Sequence, residues 1–180
     1  IDFAIATKSN HTISEAFGLW MVGTFFPEMK HSNKYFQIGR DILESQIRDQ
    51  FFEDGGYAMY SLNYQRFALH LYLVAIHLGD KVGKPFSAQM RQIFTNSIEF
   101  LYQIMDRPTG EMPQFGSNDG ALVLPINNCD FSDYRPLIQA GYYLNHKERL
   151  FPPGEWDEDL FWLFGSSALE AKVAQQPNLN

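Results

Sequence analysis

The chain has 180 residues, 45% of them hydrophobic and 19% charged, an ordinary globular composition and length that exclude a disordered segment and suffice for one domain with a real core. A net charge of −7 argues against a nucleic-acid partner, which needs a dense basic surface. It leaves an anionic sugar open, because salt screens remote charges beyond about 10 Å and a few cationic or amide groups can dominate one cleft. No run approaches the roughly 18 apolar residues of a membrane span. Cys129 is the single cysteine, so no internal disulfide forms, the redox compartment stays undecided, and a buried, inert thiol is its default role. Aromatics reach 16%, which suits either a bulky core or a sugar-stacking groove.

The chain opens on Ile1 with no signal peptide and enters a helix almost at once. The expectation is an excised segment of a longer protein, for which that absence says nothing about export. Residues 1–174 are expected to form one helical domain and residues 175–180 a frayed tail.

Ile13, Ala16, Phe17, Trp20, Met21 and Thr24 follow the 3.6-residue period. Thr12 with Glu15 reads as a capping box that starts this helix, and Phe26-Pro27 ends it. Ser32 is expected to cap the next helix, whose stripe runs Tyr35, Ile38, Gly39, Ile42, Leu43, Gln46 and Ile47 before a turn at Glu53-Asp54-Gly55-Gly56. A third helix is expected over about 60–78, apolar on two faces and therefore buried, with Gly79 and Gly83 at its exit. Ser87 caps a fourth, carrying Met90, Ile93, Phe94, Ile98, Leu101 and Met105. Residues 107–133, rich in glycine, proline and asparagine, read as a long loop, the kind that is usually functional or disordered; Phe115, Leu122, Val123, Leu124 and Ile126 suggest that this one is packed. Helices resume over about 136–145 and 157–172. Successive helices with short joints predict an all-α chain of antiparallel hairpins. With no strict repeat, a closed or partial α/α toroid fits better than a solenoid.

Three clusters carry polar chemistry. Asn10, between Ser9 and His11, lies beside the expected helix start, where free N–H groups and the helix dipole suit a carboxylate; helix capping is the competing role. His11 and Glu15 stand one turn apart, but no third metal ligand matches them. Tyr64 and Arg66 follow the Asp54-Gly55-Gly56 turn. They do not share a helix face, yet both can border one cleft, and an arginine beside a phenol would favour the phenolate a tyrosine base needs. The competing role for Tyr64 is a core aromatic. The third cluster, Gly110-Glu111-Met112-Pro113-Gln114-Phe115-Gly116-Ser117-Asn118-Asp119-Gly120-Ala121, reads as turn chemistry or as a cleft rim that hydrogen-bonds sugar hydroxyls, with Arg135 nearby as a cation or a cap. His70 and His77 fall on the buried helix and read as satisfied core or interface histidines.

The segments Asn10-His11-Thr12-Ile13-Ser14-Glu15, Gln50-Phe51-Phe52-Glu53-Asp54-Gly55-Gly56, Ser61-Leu62-Asn63-Tyr64-Gln65-Arg66 and Gly116-Ser117-Asn118-Asp119-Gly120-Ala121, in that order, resemble the helical domain of heparinase II/III-like polysaccharide lyases over roughly residues 8–165. The resemblance implies an incomplete α/α toroid followed by β-sandwich domains, and β-elimination on uronic-acid polysaccharides. By position, Tyr64 matches the catalytic tyrosine and Asn10 the residue that neutralises the uronate carboxylate. His11, Arg66, Asn118, Asp119 and Arg135 are the candidate substrate-binding residues. The scheme needs no metal or other cofactor. A further catalytic histidine is implied on the absent β-sandwich, so the chain itself is expected to be inactive or nearly so. The partners implied are an acidic polysaccharide and that C-terminal domain, with no nucleic acid and no membrane, and the implied location is periplasmic or secreted. Gln65 stands where many relatives have histidine, and Met59 where many have glutamate. Two other functions remain open: a glycoside hydrolase using two of Asp54, Glu111 and Asp119 about 5–10 Å apart, and a non-catalytic glycan-binding scaffold.

Overall fold

The computed structural model describes residues 6 and 8–175, and every helix named here lies among them. The order is α1 (Asn10–Phe25), α2 (Ser32–Gln50), α3 (Leu62–Lys81), α4 (Ala88–Ile104), α5 (Arg135–His146) and α6 (Glu158–Phe164), with short 3₁₀ turns at Glu155–Asp157 and Ser166–Glu170. No strand forms among the described residues; three isolated bridges pair Phe51 with Tyr57, Glu111 with Asp133 and Arg149 with Val173. The fold is all-α. The expected tail falls, apart from Gln175, outside the described residues.

α3 organises the rest. Both of its apolar faces are buried, and Ala68, Leu69, Tyr72, Leu73, Ala75 and Ile76 are fully shielded from solvent. It packs against α1, α4 and α5. α1 and α2 approach so closely that a Cβ on Gly39 would lie 2.4 Å from the Trp20 nitrogen, and one on Gly23 would lie 2.2 Å from the Phe36 nitrogen. Glycine at these two positions is therefore a packing requirement.

Four expectations need correction. Ser9, not Thr12, caps α1: Ser9 and Thr12 form the capping box, with the Ser9 N–H donating to Thr12 Oγ1 at 3.4 Å. Glu15 is an exposed residue of the second turn, and Asn10 is the first helical residue. His31 stands at the α2 N-cap position, and Ser32 is the first residue of the helix, its hydroxyl donating back to the Pro27 carbonyl at 3.1 Å. α3 begins after Ser61 and runs through Gly79. The single helix expected over 157–172 is broken because Gly165 adopts φ +85 and ψ 176, which is incompatible with a continuous helix. Ser87 caps α4 as expected, accepting from the Met90 N–H at 3.1 Å.

Candidate active site at the start of α3

Ser61 sets the geometry. Its hydroxyl oxygen accepts from the Tyr64 N–H at 3.1 Å, which starts α3, and its O–H donates to the Ser117 carbonyl at 2.6 Å. The Leu62 N–H donates to the Phe115 carbonyl at 3.2 Å. Gly116 holds φ +78, and a Cβ there would lie 2.0 Å from the Tyr60 carbonyl oxygen. Only glycine lets the loop lie this flat on the helix start. One residue beyond these tethers, Asn118 accepts from the Gly120 N–H at 3.0 Å and Asp119 Oδ1 from the Ala121 N–H at 3.1 Å. The turn leaves Asp119 Oδ2 facing α3, where it accepts from the Tyr64 hydroxyl at 2.7 Å.

That bond governs the electrostatics. By accepting a hydrogen bond from the phenol, Asp119 raises the Tyr64 pKa above its ordinary value, and desolvation of the phenol and the Asp119 charge add in the same direction. The same hydrogen bond lowers the Asp119 carboxyl. The expectation of an arginine-favoured phenolate is thus reversed. Arg66 points away from Tyr64 and is 2% exposed. It donates to the Phe131 carbonyl and, at 3.0 Å, to Asn63 Oδ1, and its guanidinium lies between the Phe131 and Tyr134 rings at 4.1 and 4.3 Å. Arg135 is held by Asp133, with a closest contact of 2.8 Å, and stacks on Trp156 at 4.0 Å.

Asn10 is buried, and its N–H meets Met59 Sδ at 3.4 Å. Gln50 locks this corner. Its amide donates to the Ser9 carbonyl at 3.2 Å and to Gln46 at 2.7 Å, and it accepts from the Tyr57 hydroxyl at 2.8 Å. The start of α1 is therefore tied, through Gln50 and Met59, to the segment that leads into Ser61 and Tyr64. His11 is exposed at the same helix start. Gln65 turns away from the cleft and is buried, donating to the Gly55 carbonyl at 2.9 Å and to Ser97 at 2.8 Å.

Of the hydrolase candidates, Asp54 Oδ1 accepts from the Gly56 N–H at 2.9 Å, and Asp54 borders a different recess from the one lined by Glu111 and Asn118. Cys129 is half-buried, and burial pushes its thiol up to about 11, as befits an inert cysteine. His77 packs edge-on to Phe164 at 4.6 Å. His70 departs from the expected satisfied state, because its Nδ1 is buried with no partner among the described residues. No metal-binding cluster of His, Cys, Asp and Glu occurs among the described residues. Sequence patterns supplied Tyr64, Asn118 and Asp119 separately. They did not reveal the positioning role of Ser61 and Gln50; the glycine ahead of Ser117 was the one hint of a tight docking.

Comparison with known proteins bears directly on this arrangement. Residues 2–128 match the family model described as Heparinase II/III N-terminus. The chain belongs to the heparinase II/III family. It is similar to the heparin-sulfate lyase of Bacteroides thetaiotaomicron, 24% identical over 86% of this chain, and to that of Bacteroides stercoris, 29% identical over 85%. The heparin-sulfate lyase of Pedobacter heparinus is 30% identical over 63% of the chain. The aligned parts make up 21%, 20% and 17% of these relatives, so the chain spans about a fifth of their length. No solved structure matches the chain. The family match covers the Asn10 corner, Ser61, Tyr64 and Asp119, all of which lie inside residues 2–128.

Proposed function

We propose that the full protein carrying this chain is a polysaccharide lyase that cleaves a uronic-acid-containing polymer by β-elimination, and that this chain supplies part of its active site. The observation that carries the reading is the Tyr64–Asp119 hydrogen bond of 2.7 Å at the capped start of α3, inside a region that matches a heparinase family. In β-elimination a base removes the proton alpha to the uronate carboxylate, a carbon–carbon double bond forms, and the glycosidic oxygen leaves and takes up a proton. Asn10 is assigned to the uronate carboxylate, where an amide near a helix start lowers the cost of the developing enolate-like charge. Tyr64 is assigned as base, acid or both. Because Asp119 favours the protonated phenol, this arrangement supports the acid role directly. The base role requires the phenol proton to pass to Asp119 or the carboxylate to be drawn away by substrate. His11, Asn118 and Asp119, all exposed, are assigned to the sugar hydroxyls. Arg135, held by Asp133, is assigned to orienting the loop edge.

The same proposal extends to an incomplete α/α toroid completed by β-sandwich domains that carry a further catalytic histidine, and to export to the periplasm or beyond. Among the described residues no helix is long and apolar enough to cross a membrane. The test is to incubate the full-length protein with a panel of uronate polysaccharides and follow ultraviolet absorbance of the product. The lyase reading expects an unsaturated, absorbing chain end. Saturated products with new reducing ends would point to hydrolysis, and binding without turnover on every polymer to a glycan-binding scaffold.

A further inference from the structure

On α3, Asn63, Arg66 and His70 follow one another at i, i+3 and i+7, within an arc of about 60°. They are 3%, 2% and 3% exposed. Each carries a buried nitrogen with no hydrogen-bond partner among the described residues: Asn63 Nδ2, Arg66 Nε and His70 Nδ1. Folded proteins leave few such atoms, and three in succession along one helix face are not explained by packing. Arg66 adds a charge to the problem. Its bonds go to a backbone carbonyl and an amide oxygen, and its faces meet two rings. These are neutral groups, and no carboxylate within salt-bridge distance balances the buried guanidinium among the described residues. An isolated buried charge is costly unless something pairs with it.

The column borders open space. Arg66 and His70 line a recess together with Leu122 and Asn127, Asn63 lines the neighbouring one, and Phe131 borders both. Two acidic residues share the first recess. Asp133 directs both carboxylate oxygens to Arg135, and Asp130 is exposed, where solvent screens it. His70, whose pKa burial pushes down to about 3, is neutral at physiological pH and can present an Nδ1–H.

We propose that the Asn63–Arg66–His70 face is an oxyanion site that takes a sulfate or carboxylate group presented from the recess beside Phe131. Amide, guanidinium and imidazole N–H donors in a row suit an oxyanion, whereas a neutral hydroxyl would leave the arginine charge unbalanced. Naming an acidic polymer as the carrier of that group rests on the lyase reading; the site itself does not.

The experiment is calorimetric titration of the full-length protein with sodium sulfate, against sodium chloride at matched ionic strength. Saturable sulfate binding is expected. Asn63→Asp sets a carboxylate where Asn63 Oδ1 already meets Arg66 at 3.0 Å, so the fold survives with its own counter-ion and sulfate affinity falls about tenfold or more. Glucuronate in the same assay shows whether a carboxylate competes for the site. Sulfate that behaves like chloride, or an Asn63→Asp protein that binds sulfate as tightly as the unmodified one, overturns the proposal. Failure here leaves the unsaturated-product assay untouched, and failure of that assay leaves this titration to stand or fall alone.

Discussion

Replacing Ser61 by alanine removes one oxygen that makes two contacts. As N-cap it accepts from the Tyr64 N–H at 3.1 Å, and as donor it reaches the Ser117 carbonyl at 2.6 Å. Loss of an N-cap costs about 1 kcal/mol. Loss of the second hydrogen bond costs about 1 kcal/mol more, tempered because Ser117 is exposed and its carbonyl can turn to water. The sum is about 2 kcal/mol, or roughly 4–8 °C in Tm for a chain of this size. Urea denaturation measures it. A second readout follows from the geometry. The loop would keep the Leu62–Phe115 bond of 3.2 Å but lose its Ser117 tether, so Asp119 would spend less time on Tyr64 and amide exchange across residues 116–120 should quicken. A loss below about 0.5 kcal/mol, at the bottom of the capping range, with unchanged exchange in the loop, would refute the idea that Ser61 fastens helix start and loop together.

Three other outcomes are expected. Asp119→Asn removes the charge that holds the Tyr64 proton, so the phenol should titrate lower than in the unmodified protein, observable by NMR of a labelled Tyr64; an unchanged titration would deny the pair. Gly39→Ala drives a methyl to 2.4 Å from the Trp20 backbone nitrogen, and because neither helix backbone can yield, a loss of about 3 kcal/mol or more is expected in denaturation. Asp159 is fully buried, and burial raises its carboxyl from 3.8 to about 6 despite the bond from Asn127 at 2.7 Å. Its folded pKa exceeds its unfolded one, so its contribution is fully present below the unfolded value and is lost as pH rises through about 6. Asp159→Asn should flatten the stability profile over that window, and a profile with the same slope as the unmodified protein would contradict the assignment.

Much of the fold was legible because helix period and capping residues are local signals. The stripes of α1 to α4 and the Ser87 cap were read from spacing alone. The α1 cap was misread because Ser9-x-x-Thr12 and Thr12-x-x-Glu15 overlap as possible boxes, and local sequence cannot rank them; Gln50, reaching Ser9 from α2, belongs to the tertiary contacts that fix the choice. The helix expected over about 157–172 runs across Gly165, whose backbone angles break it. The Tyr64–Asp119 pair spans 55 positions, so periodicity had no access to it. Arg66 was placed beside Tyr64 by sequence proximity, yet two residues along a helix is about half a turn, which sends the guanidinium to Phe131 and Tyr134 instead.

The central claim, that Tyr64 does proton-transfer chemistry for a lyase, is tested most directly by Tyr64→Phe in the full-length protein, assayed for unsaturated product on a polymer the unmodified protein degrades. The substitution keeps the ring and deletes only the hydroxyl that meets Asp119 at 2.7 Å. The account predicts that kcat falls about 10²-fold or more while polymer binding changes little. Product formation within about threefold of the unmodified rate, far short of what a positioned proton donor contributes, would contradict it.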